Sequence, residues 1–318
     1  MKVLYITNMY PVEDYIYFGI HVKEQIEAIA SHNGVEVEIY FINGRAKKWN
    51  YLKSIGNIRN MLKNGNYDLV HIHYGLSALF LLFYQPKLPV IITLHSGELY
   101  RKKGAINHLA QKTITLSILK NTTKIIVLND DMVNLLHKYQ KKLVKLPCGI
   151  DLNFFREKGN HTVDKELIIG FPGNKTRNEK NFKLFDEITR ELRKTFNIRI
   201  IEFHNLTRDE VLLHLQSLDV LVMTSLVEGS PQIIKEAMAC NRPIVSTNVG
   251  DIADLLHDVQ NCYVINSFEP AALLKPIKKI LLLPVEDRKS NGRHKLDQMG
   301  LGADQVANSV LHIYNEVL

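Results

Sequence analysis

Several features are scarce or missing in this 318-residue chain, and two of these absences exclude a class of protein. Cysteine occurs only three times, at scattered positions without metal-ligand spacing, which excludes a disulfide scaffold and favours a reducing compartment. The longest largely apolar run, 76–84, spans nine residues and is far too short to cross a bilayer. No Asp-x-Asp occurs anywhere, and the chain has neither short-period repeats nor low-complexity tracts.

The start of the chain predicts a strand rather than a secretory signal peptide. Residues 1–6 read MKVLYI, and no small-residue cleavage site follows them. We therefore expect a cytoplasmic protein. With this length and an ordinary globular composition, the chain suits two α/β domains of about 150 residues each.

Positive charge is concentrated in the first half of the chain. Residues 1–155 hold 19 Lys and Arg against 11 Asp and Glu, whereas residues 156–318 hold 21 against 22. The excess gathers in 45–63 and 101–124, and neither segment contains an acidic residue. We expect an anionic or lipid-phosphate partner for this half, and we expect no nucleic acid, because no recognition motif accompanies the charge.

Two interpretations of the basic segment 45–63 stay open, because it also carries apolar residues at helical spacing. These apolar residues are Trp49, Tyr51, Leu52, Ile55, Ile58 and Leu62. An amphipathic basic helix suits an anionic membrane surface, which predicts peripheral association with the inner face of the plasma membrane. A solvated helix with its apolar side on the core explains the same pattern.

The segment 219–250 is the part of the chain around which the rest is organised. Asp219–Met223 is a short apolar run typical of a buried parallel strand, and Pro243–Ser246 is another. Between them we expect a helix with Ser230 as its N-cap and Pro231 at its first position. The turn before this helix then lies at the carboxyl end of a strand, where open α/β sheets bind ligands.

Two glutamates in this segment are expected to face one site. Glu228 falls in the turn, and Glu236 falls one and a half turns into the helix. Between them lie the backbone N–H groups of 230–233, at the positive end of a helix dipole that readily binds phosphate. The combination predicts phosphate at the helix end, with two carboxylates left to accept hydrogen bonds from hydroxyls on either side.

The string from Glu228 to Val245 reads EGSPQIIKEAMACNRPIV, and it closely resembles the Glu-x7-Glu signature of retaining glycosyltransferases of the GT-B fold, family four. In that family the first glutamate lies by the donor sugar's hydroxyls and the second by the nucleotide ribose. The similarity covers essentially the whole chain, strongest over 219–251 and weakest over 40–65. It implies an α/β protein with two Rossmann-like, doubly wound parallel-sheet domains that face each other across a cleft.

The segment 156–166 is polar, includes Gly159 and Asn160 and lacks apolar periodicity, so it is expected to be the interdomain linker. The resemblance implies the role of each domain and the packing of the last helix. An acceptor-side domain is expected at 1–155, a linker at 156–166, a donor-binding domain at 167–300, and a C-terminal helix at 301–318 that packs back on the first domain. The wider family usually has a further strand and helix beside the nucleobase pocket, before the position of His204. This chain lacks that unit, which accounts for its shortness.

Four residues of the first domain are site candidates by this resemblance. Gly19 matches a glycine loop beneath the donor phosphates, and His21, at the following helix start, faces the acceptor. His95 resembles the family's strand-end histidine near the reaction centre, where its imidazole can hydrogen-bond donor sugar or acceptor. His73, at the end of the neighbouring strand, is a lesser acceptor-side candidate. An ordinary capping or surface role stays open for His21.

In the second domain, a glycine turn with basic residues precedes a helix and suits a diphosphate. Arg177 is expected to grip it in bidentate fashion and Lys180 to act as a compact charge, as in the family's Gly-Arg-(x)-Lys-Gly segment. Asn174 follows Gly173 where arginine is usual, so the arginine role passes to Arg177 by inference only. Solvated loop charges are the alternative. The residues expected to bind the nucleotide sugar are Gly19, Gly173, Asn174, Arg177, Lys180, Leu206, Gly229, Ser230, Pro231, Gln232, Ile233 and Glu236.

The resemblance implies transfer of a sugar from a nucleotide donor, UDP-linked in preference to GDP-linked, with retention of anomeric configuration. The acceptor is expected to be a hydroxyl of a lipid-linked or cell-surface glycan. His95, Glu228, Arg177 and Lys180 are the expected catalytic residues, and the leaving diphosphate receives the acceptor's proton. We expect no metal and no other cofactor, since the donor is a co-substrate. Two alternatives remain, a sugar-nucleotide 2-epimerase of the same fold and a non-catalytic sugar- or nucleotide-binding protein.

Overall fold

The computed structural model describes residues 1–100, 106–157 and 166–318. These residues form two compact units, one of Met1–Gly149 with Ala303–Leu318 and the other of Ile150–Gly302. Each unit is built on a parallel sheet with helices, so the prediction of an α/β protein with two parallel-sheet domains is confirmed. The basic residues 101–103 and most of the predicted linker, 156–166, lie outside the described residues.

The first unit is organised around a parallel sheet. Its strands are β1 (Lys2–Thr7), β2 (Glu36–Phe41), β3 (Leu69–His73), β4 (Val90–Thr93), β5 (Lys124–Val127) and β6 (Leu143–Lys145). They lie in the order β2-β1-β3-β4-β5-β6. The helices that follow them in sequence are α1 (Ile20–Ala30), α2 (Asn50–Asn64), α3 (Ile106–Leu119) and α4 (Asp130–Leu135), with 3-10 segments at Gly75–Leu82 and His137–Lys142.

The two faces of the first sheet differ in chemistry. Leu4 of β1 and Val70 of β3 are fully buried in an apolar core on one face. Because successive strand residues point to opposite faces, Tyr5 and His71 lie on the other face, and β1 and β3 pair them in register. Polar rings are therefore buried on one side of an otherwise apolar sheet, and they lie just below the strand ends where His73 and His95 were predicted to act.

The second unit has its own parallel sheet. Its strands are β7 (Leu167–Phe171), β8 (Ile198–Glu202), β9 (Val220–Met223), β10 (Ile244–Thr247) and β11 (Cys262–Ile265), in the order β11-β10-β9-β7-β8. The helices are α5 (Phe182–Arg193), α6 (Arg208–Ser217), α7 (Gln232–Ala239), α8 (Ile252–Leu256), α9 (Pro270–Leu281) and α10 (Gly292–Gln298), with 3-10 segments at Asn178–Lys180 and Val285–Asp287. The strands β9 and β7 lie at the centre of the sheet, so the loops that follow them are neighbours.

Local signals predicted many of these elements, but α3, a helix of 14 residues, was not predicted. Thr207 caps α6 in a full capping box with Glu210, a pattern that is visible in the sequence. β11 and α10 were not predicted. Their positions depend on packing, since α10 lies against α7 so closely that a Cβ on Gly292 would stand 2.8 Å from the backbone of Met238.

The C-terminal helix, α11 (Ala303–Asn315), belongs to the first unit. It packs on α1 and buries an apolar stripe that includes Val306, Val310 and Ile313. Tyr314, also fully buried, points its hydroxyl into the polar face of the first sheet, where it meets Tyr5. The end of the chain is thus joined to the start of the chain by both apolar packing and a hydrogen bond.

The basic segment 45–63 contributes α2, and its apolar residues divide into two groups. Ile58 is fully buried, and Tyr51, Ile55 and Leu62 pack against the core. Trp49 and Leu52 stay exposed, with 69% of Trp49 accessible to solvent. Core packing thus accounts for most of the apolar pattern but not for its N-terminal end. No helix in the described part of the chain is long and apolar enough to cross a membrane.

Candidate functional site

An ion pair joins the two central loops of the second unit. The ammonium of Lys180, from the loop after β7, lies 2.7 Å from Oε1 of Glu228, in the turn after β9. Only 11% and 15% of these two side chains are exposed. Opposite charges that are this close and this well shielded from solvent interact strongly, so each side chain is oriented before any ligand binds.

The backbone around Lys180 explains how two residues 48 positions apart meet. Gly173 has a φ of 118°, and a Cβ there would stand 2.9 Å from Cε of Lys180, so the glycine leaves room for the lysine stem. The hydroxyl of Thr224, just after β9, donates to the carbonyls of Lys180 and Asn181 at 3.1 Å each. The end of one strand thereby fixes the loop that follows another.

The N-terminal end of α7 differs from the prediction by one residue. Pro231, not Ser230, occupies the N-cap position, with an extended ψ of 117°. The Ser230 hydroxyl does not cap the helix but accepts a hydrogen bond of 3.1 Å from the ammonium of Lys235. The prediction of a helix starting directly after this turn is confirmed, and its positive dipole end lies beside Gly229 and Ser230.

Two further titratable residues, Lys235 and Asp251, are buried beneath this turn. Lys235 is fully buried and Asp251 nearly so. Burial raises the pKa of the Asp251 carboxyl to about 6, and the charge of Lys235 and the Ser230 hydroxyl act in the opposite direction. The backbone N–H of Asp251 donates to the Gly229 carbonyl at 3.2 Å. The turn after β10 therefore supports the turn that carries Glu228.

Glu236 points from α7 to a cation that sequence reasoning missed. Its Oε1 accepts a 2.8 Å hydrogen bond from Arg208, at the first position of α6. The Arg208 guanidinium also lies over the Phe155 ring, 4.6 Å from its centroid. A weak signal was present, since a cation in the first turn of a helix is unfavourable with respect to the dipole and an acidic partner offsets that cost.

Three of the residues predicted to bind the nucleotide sugar make contacts that differ from the predicted ones. The Arg177 guanidinium is half exposed and donates to Oε1 of Glu179 at 2.9 and 2.6 Å. Asn174 uses its side-chain oxygen to accept from the backbone and hydroxyl of Thr176. Leu206 is half buried, just before the capping box of α6. The structure thus does not bring the Arg177 guanidinium to the Lys180–Glu228 pair.

In the first unit, the predicted histidines form one cluster at the ends of β3 and β4. Nδ1 of His73 lies 3.1 Å from Nε2 of His95, and the His21 ring meets the His95 ring edge-on at 5.0 Å. Gly19 has a φ of 71°, and a Cβ there would stand 2.3 Å from the carbonyl carbon of Met9, so only glycine fits. The structure therefore brings His21, His73 and His95 together, with His73 entirely buried.

Sequence reasoning missed the buried network beneath these histidines. Nδ1 of His71 lies 2.5 Å from the hydroxyl of Tyr314, which lies 2.5 Å from the hydroxyl of Tyr5. Nε2 of His71 pairs with Thr93 at 2.8 Å. Burial lowers the pKa of His71 to about 3, so its ring is neutral. The available signal was a pair of histidines two residues apart in an apolar strand, which places both on one face.

Glu98 supports His95 from below. Its Oε1 accepts the backbone N–H of His95 at 3.0 Å, and the side chain has no exposed surface. Burial raises the pKa of Glu98 to about 7, and hydrogen bonds from the backbone of His95, Glu98 and Gly75 limit that increase. The cluster is thus held by a neutral His71 and by a Glu98 carboxyl that is only partly ionised near neutral pH.

These geometries suit two kinds of ligand group. In the second unit, a mostly buried ammonium and a helix N-terminus offer positive charge to a phosphate, and two oriented carboxylates accept hydrogen bonds from hydroxyls. In the first unit, imidazoles at the strand ends exchange hydrogen bonds with uncharged polar groups. Two units of this kind, each built on a parallel sheet with helices, are typical of proteins of the GT-B fold.

Family models match most of the chain. The model described as Glycosyltransferase Family 4 matches residues 11–154, and the one described as Glycosyl transferases group 1 matches residues 173–282. The chain belongs to the family 4 glycosyltransferases of the GT-B fold.

Individual relatives are distant. The chain is 24% identical over 260 residues to UDP-Gal:alpha-D-GlcNAc-diphosphoundecaprenol alpha-1,3-galactosyltransferase of Escherichia coli, a match that covers 69% of this chain and 65% of that protein, slightly less than two thirds. Among solved structures, sucrose-phosphate synthase of Thermosynechococcus elongatus has a TM-score of 0.78 at 16% identity, over 99% of this chain and 98% of that one. Anabaena HepE in complex with UDP and glucose has a TM-score of 0.71 at 12% identity, over 99% and 100%. At identities of 16% and 12%, the two solved structures show that this chain shares their fold.

Proposed function

We propose that this glycosyltransferase uses a nucleotide-sugar donor, a UDP-sugar in preference to a GDP-sugar, and that it retains the anomeric configuration. The observation that carries the proposal is the arrangement of Lys180, Glu228 and Glu236 around the N-terminal end of α7. It supplies one cation, one helix dipole and two carboxylates, which match a diphosphate flanked by a sugar and a ribose. UDP and UDP-glucose complexes of a protein with the same fold support the choice of UDP.

In this proposal each charged group has one role. Lys180 exchanges its contact with Glu228 for the donor diphosphate, and Glu228 then accepts hydrogen bonds from the sugar hydroxyls. Glu236, held by Arg208, accepts from the ribose. The bond between the anomeric carbon and the phosphate oxygen breaks as the acceptor oxygen bonds to the same face of that carbon. The departing diphosphate takes the acceptor proton, so no side chain acts as nucleophile.

The proposed acceptor is a hydroxyl of a lipid-linked or cell-surface glycan, reached at the inner face of the plasma membrane. The first half of the chain carries the basic excess, and the E. coli relative is named for a diphosphoundecaprenol-linked acceptor. The exposed Trp49 and Leu52 at the start of α2 stand beside Lys53, so an apolar anchor and positive charge share one helix face.

We also propose that transfer needs no metal ion. The sequence has no Asp-x-Asp, and the Lys180 ammonium with the helix end supplies the positive charge that the leaving diphosphate requires. Transfer measured with and without a strong chelator is expected to proceed at the same rate. A loss of activity that added Mg²⁺ or Mn²⁺ restores would contradict this part of the proposal.

Thermal stabilisation by UDP, GDP, ADP and their sugar conjugates tests the donor. UDP and a UDP-sugar are expected to raise the melting temperature most. Lys180→Met, which keeps the stem and removes the charge, is expected to weaken UDP binding by roughly ten- to a hundredfold. Lys183→Met, at an exposed position of α5, is the control and is expected to bind UDP normally. Equal UDP binding by both variants would overturn the assigned role of Lys180.

Vesicle co-sedimentation tests the membrane contact. The protein is expected to bind vesicles that contain phosphatidylglycerol and not those of phosphatidylcholine alone. Trp49→Ser is expected to reduce this binding, whereas Leu213→Ser, an exposed leucine of the second unit, is not. Equal binding to both vesicle types, or equal loss in both variants, would contradict membrane docking through α2.

A further inference from the structure

His73 lies between two other histidines in the interior of the first unit. Its ring stacks on the His71 ring at 4.6 Å and on the His95 ring at 5.3 Å. Nδ1 of His73 faces Nε2 of His95 at 3.1 Å, a hydrogen-bonding distance. Because none of its side chain is exposed, His73 acts on a ligand only through its neighbours.

His73 is uncharged in these surroundings. Burial lowers the pKa of His73 well below its usual value, and the neighbouring rings of His71, His95 and His21 lower it further. The other titratable ring stacked on it, that of Tyr5, lies 5.9 Å away and is buried as well. A neutral imidazole carries one proton, on either Nδ1 or Nε2.

The surroundings of the two nitrogens decide where that proton lies. Among the groups that the structure describes, none is within hydrogen-bonding reach of the buried Nε2 of His73. A proton on Nε2 would leave an N–H donor unpaired in the interior, which native proteins avoid more strictly than an unpaired acceptor. A proton on Nδ1 is paired, because Nε2 of His95 accepts it.

We infer that His73 is a positioning residue that donates its Nδ1–H to Nε2 of His95 and so keeps the proton of neutral His95 on Nδ1. His95 then meets substrate as a hydrogen-bond donor rather than as a base. The catalytic meaning of this assignment rests on the proposed function, together with the role that the family resemblance implies for His95, a hydrogen bond to the donor sugar or the acceptor. The tautomer itself does not depend on any substrate.

The network below His73 holds this arrangement in place. Tyr314 and Thr93 hydrogen-bond the two nitrogens of His71, so the ring on which His73 stacks cannot turn freely. Tyr314 belongs to α11, so the last helix helps to orient His71, which lies 243 positions earlier in the sequence. In this stacked arrangement Nδ1 of His73 faces Nε2 of His95 at 3.1 Å.

Histidine nitrogen NMR on the full-length protein tests the inference directly. With ¹⁵N-labelled histidine near pH 8, long-range proton correlations are expected to show His95 protonated on Nδ1 and His73 on Nδ1. The signals are assigned by their loss in His95→Ala and in the His73 variants. His95 protonated on Nε2 in the unmodified protein would overturn the inference whatever the variants do.

Two variants distinguish a role of His73 in positioning His95 from a role in packing alone. His73→Phe keeps a stacking ring and removes the donor, so we expect the Nδ1–H form of His95 to diminish and kcat to fall roughly tenfold or more. His73→Asn keeps an N–H near the position of Nδ1 and is expected to restore both. In a His95→Ala background, His73→Phe is expected to cost no further activity.

Failures of the two proposals look different. If UDP binding and transfer are absent but His95 is protonated on Nδ1, the positioning inference stands and the proposed function falls. If transfer is observed and His95 keeps its Nδ1–H in His73→Phe, the inference falls and the proposed function stands.

Discussion

The two units bury polar side chains in different ways. The second unit pairs opposite charges, Lys180 with Glu228 and Arg208 with Glu236, at contacts of 2.7 and 2.8 Å. The first unit buries rings that stay uncharged, and its one carboxyl at the cluster, Glu98, has its pKa raised to about 7 by burial.

The difference fits what each unit is proposed to bind. A charged diphosphate is bound by charges already in place, whose desolvation has been offset by pairing before the ligand arrives. Hydroxyls of a glycan need oriented donors and acceptors instead, and a neutral imidazole network supplies these at a lower desolvation cost. The comparison can be tested by substituting, one unit at a time, the residues that hold the charged site of the second unit and the uncharged cluster of the first unit in place.

The largest effect is expected from the backbone beneath the charged site. Gly250 has a φ of 61°, and a Cβ there would stand 2.4 Å from the Gly229 carbonyl oxygen. Gly250→Ala is therefore expected to destabilise the protein by about 3 kcal/mol or more, measured by urea denaturation. The matched control is Gly300→Ala, where φ is 66° but no atom lies within 4 Å, and about 1 kcal/mol is expected. Equal costs would show that the two turns do not support each other.

The uncharged character of the first unit predicts a specific pH dependence. Glu98 binds its proton more tightly folded than unfolded, so the stability that it contributes is fully present below about pH 4.5 and lost as pH rises through about 7. Between pH 5 and 8, the free energy of unfolding is expected to fall by up to about 2 kcal/mol more in the wild type than in Glu98→Gln.

The exposed Glu27 provides the control for that experiment. Glu27→Gln is expected to keep the full wild-type pH dependence, since its side chain lies in solvent. A Glu98→Gln variant with an unchanged slope would mean that the buried carboxyl is already ionised at pH 5, which would break the contrast between the units.

The buried rings predict a smaller, non-additive effect. Tyr314→Phe leaves the Tyr5 hydroxyl and Nδ1 of His71 without their partner, and we expect a loss of about 1 kcal/mol in the free energy of unfolding. Adding Tyr5→Phe removes the Tyr5 hydroxyl, one of the two groups left without a partner. The double variant is therefore expected to lose less free energy of unfolding than the sum of the losses in the two single variants. Strict additivity would show that the hydroxyls do not depend on each other.

The smallest effect is expected at Arg208. Arg208→Lys keeps the charge but loses the flat contact with Phe155 and the planar hydrogen bond to Glu236, so UDP affinity is expected to fall by about threefold to tenfold. Arg199→Lys, at an exposed ion pair with Glu166, is the matched control and is expected to bind UDP normally. Isothermal titration calorimetry measures both, and equal affinities would remove Arg208 from the donor site.

How far the sequence predicted these sites depends on how local their signals are. The strand and helix around Glu228 and Glu236 were predicted because apolar runs, a proline and a capping position all lie within 30 residues. Lys180 was predicted as a phosphate ligand, but its pairing with Glu228 was not, because it depends on the adjacency of β7 and β9. Arg208 and His71 were missed although weak local signals were present, and Lys235 was missed because nothing nearby in the sequence distinguishes it from an exposed lysine.

The sequence by itself determined the two parallel-sheet units, the order of most elements and the carboxylates at the strand ends, because these follow from hydrophobic periodicity and turn chemistry that act over short distances. Only the tertiary structure decided which charges are paired and which rings are neutral. Those outcomes depend on burial and on partners such as Tyr314 and Tyr5, which lie 309 residues apart in sequence and at hydrogen-bonding distance in the fold.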